Sequence, residues 1–184
     1  MAMKFERLTD DARLWAVVYD GEEQNVFDKV FDSWTDVVWL RTFFKNNMED
    51  LASYFHITDL DVAIFDTVDD ACTLECLMLD ITPEANLDLL FRPLSNYSPY
   101  NELLSKEKAK GAFRKHSSWL RLYAIRLQSG RYIITGGAIK LTATMEEREH
   151  TLNELKNLNL VRNYLISLGI ADYDGFASYE SDQQ

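Results

Sequence analysis

The chain is poor in the residues that mark several whole classes of protein. It has only two cysteines among 184 residues, Cys72 and Cys76, so a disulfide framework is excluded. Four apart, they fall on one helical turn with no second ligand pair, and read as small buried apolar residues rather than a metal site. With three prolines, seven glycines and 47% apolar residues, the chain has enough material for a hydrophobic core and no low-complexity signature. The three histidines have no companions at metal-ligand spacing, so no metal and no cofactor is expected. No apolar run is long enough to span a bilayer, and Met1 to Arg7 lacks a signal-peptide core, which predicts a cytoplasmic protein.

Positive charge is scarce too, and it is concentrated. The net charge is −11, but residues 1–103 carry −14, residues 104–141 carry +8 and residues 142–184 carry −5. A basic block between acidic ones serves either as a polyanion site or as one half of an internal electrostatic clamp. A third outcome is a mixed solvated surface.

The N-terminal half reads as one strand followed by helices. Leu14 to Tyr19 is a short apolar run closed by Asp20-Gly21. Phe27, Val30, Phe31, Trp34, Val37 and Val38 then recur at helical spacing, which predicts a helix from Asn25 to about Phe44. A shorter helix carries Met48, Leu51 and Phe55. A third begins at a Thr58 or Asp59 cap. Asp61, Asp66, Asp69 and Asp70 lack the glycine turn and terminal glutamate of a calcium loop and read as a solvated helix face. Ser95 to Asn101 is turn-rich and reads as a loop.

Residues 119–142 are the β-rich part. Trp119–Leu127, Arg131–Thr135 and Ala138–Thr142 read as a three-stranded meander, joined at Gln128-Ser129-Gly130 and Gly136-Gly137. Period-two alternation gives one core face with Leu120, Leu122, Ala124, Tyr132, Ile134, Ile139 and Leu141, with Arg126 the exception. The other face carries Arg121, Tyr123, Arg131, Thr135 and Lys140 with Ile125 and Ile133. These cations either bind a phosphate chain, with Tyr123 stacking a base or transferring a proton, or pair with the acidic helices. Just before the strands, Lys106, Lys108, Lys110, Arg114, Lys115 and His116 form a candidate RNA-contacting run, with a plain solvated helix as the alternative. After the strands, Thr144 and Glu147 have capping-box spacing ahead of a helix that Gly169 stops. Glu146, Glu149, His150 and Glu154 read as its surface. The fold expected from these elements is α+β in a single domain, 1–184. A small antiparallel sheet, the meander plus an N-terminal strand, is packed by helices, with 22–82 as a helical insertion or lobe.

With its strands WLRLYAIRL, RYIIT and GGAIKLT and the trailing TMEEREHTLNEL, the chain resembles the RelE/HigB superfamily of toxin ribonucleases. The similarity covers the strand near Leu14 and residues from Leu87 to about Arg162. It implies a toxin of bacterial or phage origin that cleaves messenger RNA, often on the ribosome, and is silenced by a cognate antitoxin protein. Arg121, Tyr123, Arg131 and Lys140 would then be the catalytic set, with the arginines acting by charge. The chain is larger and more acidic than such toxins, and Thr142 and Thr144 stand where some of them have a histidine. Two other readings remain open: a non-catalytic interaction protein of the same fold, and an acidic nucleic-acid mimic. A homodimer is compatible with all three.

Overall fold

The computed structural model describes residues 3–80, 86–95 and 102–183. Nine-residue strands β5 (Leu120–Gln128) and β6 (Arg131–Ile139) form the spine of a six-stranded sheet. Beside them lie β1 (Lys4–Arg7), β2 (Leu14–Val18), β3 (Phe91–Pro93) and β4 (Lys106–Lys110), in the order β1-β2-β6-β5-β4-β3. All neighbours are antiparallel except β2 and β6, so the sheet is mixed. The fold is α+β, with a larger sheet than the expected meander and N-terminal strand.

Helices cover both faces. On one face lie α1 (Val26–Thr35), α2 (Val37–Asn46), α3 (Met48–Phe55) and α4 (Leu60–Leu79). They pack over Leu14, Ala16, Leu120, Leu122, Ile134 and Ile139. On the other lie α5 (Glu149–Ser167) and α6 (Tyr173–Gln183), over Trp15, Val17, Tyr123, Ile125 and Ile133. Phe176 of α6 sits edge-on to both Phe5 and Trp15 and anchors that helix.

Several expectations change. The predicted helix over 25–44 is two helices, because Asp36 adopts an extended conformation and its carboxylate caps the N–H groups of Val38 and Trp39. Cys72 and Cys76 are exposed rather than buried. Asp66 and Asp70 are buried, not solvated, and face the segment leading into β5: Asp70 accepts from Ser118 and Asp66 lies 3.0 Å from His116 Nε2. The basic run 106–110 is a strand. Its alternation sends Glu107 and Ala109 into the α1–α4 face and the three lysines to the other. Most of the expected loop over Ser95 to Asn101 lies outside the described residues.

The largest change concerns Gly136-Gly137. The pair is not a turn: β6 runs straight through it, with Gly136 opposite Tyr123 and Gly137 opposite Leu122. Thr135 is the extra residue of a β-bulge, which shifts the alternation by one. A two-residue turn shifts it by the same step, so the predicted apolar face holds although the predicted connection does not. The glycines admit the helices. A Cβ on Gly137 would lie 2.8 Å from Val30 and 3.1 Å from the Trp34 ring, and one on Gly136 would overlap the Glu154 carboxylate.

Gly137→Ala should therefore destabilise the protein by about 1–3 kcal/mol, since the added methyl meets Val30 and the buried Trp34 ring. Urea denaturation measures this, and an unchanged midpoint would mean that α1 does not press on β6.

Candidate anion-binding site

The register of β4, β5 and β6 assembles the site. Lys110 lies directly opposite Arg121, and Lys108 directly opposite Tyr123. Arg121 in turn pairs with Ala138, and Lys140 emerges just past the end of β6 on the same face. Like charges directly across a ladder oppose folding, so this arrangement costs stability unless something neutralises it. Helix α5 covers β6 and part of β5, and leaves a cavity of about 530 Å³ where the cations gather. Lys108, Lys110, Arg121, Tyr123 and Lys140 line it with Glu146.

Each cation is held by neutral oxygens. Arg121 Nη1 donates to the carbonyls of Ser118 and Leu120, both at 2.8 Å. Lys140 Nζ donates to the Thr142 and Ala143 carbonyls, Lys110 Nζ to Ser117 Oγ, and Lys108 Nζ to the Leu94 carbonyl at 3.3 Å. Among the described residues, none of the four forms an ion pair. The acidic helices α1–α4 lie across the sheet; within the basic block Asp66 of α4 pairs with Lys115, and Asp70 acts on Lys110 and Arg121 only through its charge, without an ion pair.

Burial and mutual repulsion act together on these groups. Burial lowers the pKa of Lys108, Lys110 and Lys140, and the Arg121 guanidinium lowers each further. Burial also lowers that of Arg121, which stays charged at any ordinary pH. The Tyr123 hydroxyl is driven well above its ordinary value, chiefly by burial and then by the charge of Glu154. It is buried without a hydrogen-bond partner among the described residues. Its ring is fully enclosed, so Tyr123 does not stack a base as expected; it offers a hydroxyl that stays protonated.

The other candidate residues are dispersed. Arg131 sits at the far end of β6, where its guanidinium lies 3.9 Å from the Tyr173 ring centroid and donates to the Ala12 carbonyl; it is no part of the cavity. Lys106 Nζ reaches Asn159 of α5 at 3.0 Å. Arg114, Lys115 and His116 lie on the α4 side. Lys115 is 3.7 Å from Asp66, and His116 stacks on Trp119 at 4.3 Å. Of the proposed RNA-contacting run, only Lys108 and Lys110 join Arg121, Tyr123 and Lys140.

Sequence reasoning placed Glu154 on a surface. Instead its carboxylate packs against Gly136, next to Tyr123 across the ladder, with Oε2 buried and unpartnered among the described residues. The only signal was the in-strand Gly136, which leaves the gap that the carboxylate fills. Burial raises its pKa to about 7.

The consequence for stability has a definite sign. Folded Glu154 holds its proton more tightly than the unfolded chain does, so stability falls as pH rises from about 4.5 to about 7 and then levels. Glu154→Gln should stabilise the protein by on the order of 2 kcal/mol at pH 8 and by little at pH 4.5. Denaturant midpoints at both pH values test this; an equal effect at the two would show that the carboxyl is not buried as described.

Comparison of the chain with protein-family models, with curated proteins and with solved structures finds no match. The functional reading rests on the cavity.

Proposed function

We propose that the cavity holds the phosphodiester backbone of RNA, and that the protein is an endoribonuclease of the RelE/HigB toxin kind acting on messenger RNA in the cytoplasm. One observation carries this reading. In a chain with a net charge of −11, four cations converge on one cavity whose lining holds a single carboxylate, Glu146, and among the described residues none of the four forms an ion pair. Clusters of unpaired, partly buried cations are unfavourable unless a ligand supplies the missing charge.

The same groups suit cleavage of a ribose-adjacent phosphate. When a 2′-hydroxyl attacks the neighbouring phosphorus, its proton must leave, and the departing 5′ oxygen must gain one. Charge accumulates on the phosphorus oxygens in between. Arg121, whose protonation is fixed, would stabilise that charge, with the buried Tyr123 hydroxyl staying protonated beside it. A lysine whose pKa is pulled down by burial and by Arg121 carries the proton instead: neutral, it accepts from the 2′-hydroxyl, and as an ammonium it donates to the 5′ oxygen. Lys108, Lys110 and Lys140 are the candidates for those two duties. Resemblance to the toxin family adds the ribosome as the place of action and an antitoxin protein as the partner.

Induced expression in a bacterial host should arrest growth, and purified protein with translating ribosomes should generate new 5′ ends in messenger RNA. Arg121→Ala with Lys140→Ala should reduce cleavage by about 100-fold or more. Arg131→Ala, outside the cavity, should leave it within about threefold. Neither arrest nor cleavage, or loss of both in the Arg131 variant alone, would reject the ribonuclease assignment. Salt-dependent RNA binding without cleavage would reduce it to an RNA-binding protein.

A further inference from the structure

On the other side of β6 the sheet is incomplete. β2 pairs with β6 only as far as Ile134 and ends at Val18, so among the described residues no strand continues the ladder past Ile134. The direction of the free groups follows from the β5 pairing. Lys140 N donates to the Trp119 carbonyl at 2.7 Å, and alternation then makes Arg121/Ala138 and Tyr123/Gly136 the bonded pairs. The N–H and C=O of Gly137 and Ile139 point away from β5. Two side chains fill part of this edge: the Tyr19 hydroxyl donates to the Thr135 carbonyl, and His150 Nε2 donates to the Ile139 carbonyl at 2.8 Å. Gly137 N–H, Gly137 C=O and Ile139 N–H have no partner among the described residues.

This edge opens into a groove of about 460 Å³ between α1, α2 and α5. Tyr19, Val26, Val30, Trp34, Trp39 and Phe43 form its walls, and Gly137 is half-exposed at its floor. Trp39 is 40% exposed and stacks on Phe43 with ring centroids 5.5 Å apart. Of the charged residues lining the groove, Lys29 is already paired with Glu22 at 2.9 Å. Glu154 has no cation among the described residues. The groove therefore offers a carboxyl and an exposed indole, both of which favour a cation, beside backbone groups that only an extended chain matches.

We propose that this groove takes an extended, basic peptide segment of a partner protein, added as a short strand along Gly137–Ile139 with a lysine or arginine set against Glu154 and Trp39. The partner's backbone would bond Gly137 on both sides, as a strand joining a sheet edge does, and alternate side chains would enter the aromatic walls. A helix cannot meet these requirements, because its N–H and C=O groups are already satisfied internally. The inference stands apart from the RNA reading, whose cavity lies over β4 and β5.

The test uses the full chain and a phage-displayed library of random linear dodecapeptides, with the enriched sequences then synthesised. Enriched peptides should carry a lysine or arginine flanked by apolar residues. Bound, they should shift the Gly137 and Ile139 amides in nitrogen-15 spectra and slow their hydrogen exchange by tenfold or more. Methylating alternate peptide nitrogens should weaken binding at least tenfold, as should Trp39→Ala, a change at an exposed position that leaves the core alone. Glu154→Gln should weaken peptides with the basic residue and not those in which it is replaced by alanine. Absence of enrichment overturns the proposal, as does binding that leaves the two amides unchanged or that tolerates nitrogen methylation.

Discussion

Everything around β6 depends on how closely two helices approach it at Gly136-Gly137. On one face Trp34 and Val30 of α1 come within contact of the Gly137 backbone, and on the other the Glu154 carboxylate rests on Gly136. Any side chain at either position would push a layer away from the sheet, and interiors packed at crystal density do not absorb such a displacement cheaply. The Thr135 bulge belongs to the same constraint. It turns the strand by one residue so that Ile134 and Ile139 both reach the α1–α4 core, despite an odd separation that would otherwise put them on opposite faces. The Tyr19 hydroxyl holds the Thr135 carbonyl in place of a β2 partner.

That geometry decides where charge goes unneutralised. Helices α1–α4 carry nine acids on one face of the sheet, while alternation sends Lys106, Lys108, Lys110 and Arg121 to the other; Arg126, five residues on from Arg121, faces the α1–α4 side and pairs with Asp88. Helix α5 is held close over β6 by the glycine, and so leaves the β4 side open, where Lys108, Lys110, Arg121 and Lys140 collect. Asp88 makes a useful contrast. Its carboxylate accepts from Ser129, Tyr132, the Gly130 N–H and Arg126, and these hydrogen bonds hold its pKa down to about 2 against the opposing effect of burial. There the fold has satisfied a half-buried charge with four donors; at Arg121 it has supplied two carbonyls, and the Asp70 carboxylate acts only through its charge, without an ion pair.

Much of this was legible in the amino-acid order, and the failures have specific causes. Helical spacing located α1–α3 and the Asp59-capped α4, and β-residue density located β5 and β6, because each of those patterns spans several turns or a full strand. Strand β4 was missed because KEKAK has the composition of a solvated helix. Only the register with β5 makes Glu107 and Ala109 inward residues. Gly-Gly reads as a turn from local propensity alone, and nothing local says that Trp34, a hundred residues earlier, needs the space. Of the expected catalytic set, Arg121, Tyr123 and Lys140 converge and Arg131 does not. All four share one predicted face, but Arg131 lies at the opposite end of a nine-residue strand, and alternation fixes the face of a residue without fixing its distance from the others.

The two open regions of β6 differ in sign because they are built on opposite kinds of deficit. At the cavity the side chains are cationic and the backbone ladder is complete, so what is missing is negative charge, in any flexible chain that carries it. At the groove the backbone itself is incomplete and the unpaired side chain is an acid, so what is missing is a strand with a positive residue. Glu154 touches both: it raises the pKa of Tyr123 beside the cavity while lining the groove. A cation brought to Glu154 would hold it ionised, and an ionised carboxylate beside the Tyr123 hydroxyl favours the protonated phenol still more. The bound cation carries the charge that offsets this carboxylate, so occupation of the groove leaves the cavity's neutral donor intact and adds no net negative charge at its edge, and the deficit of negative charge at the cavity persists whether or not the groove is filled.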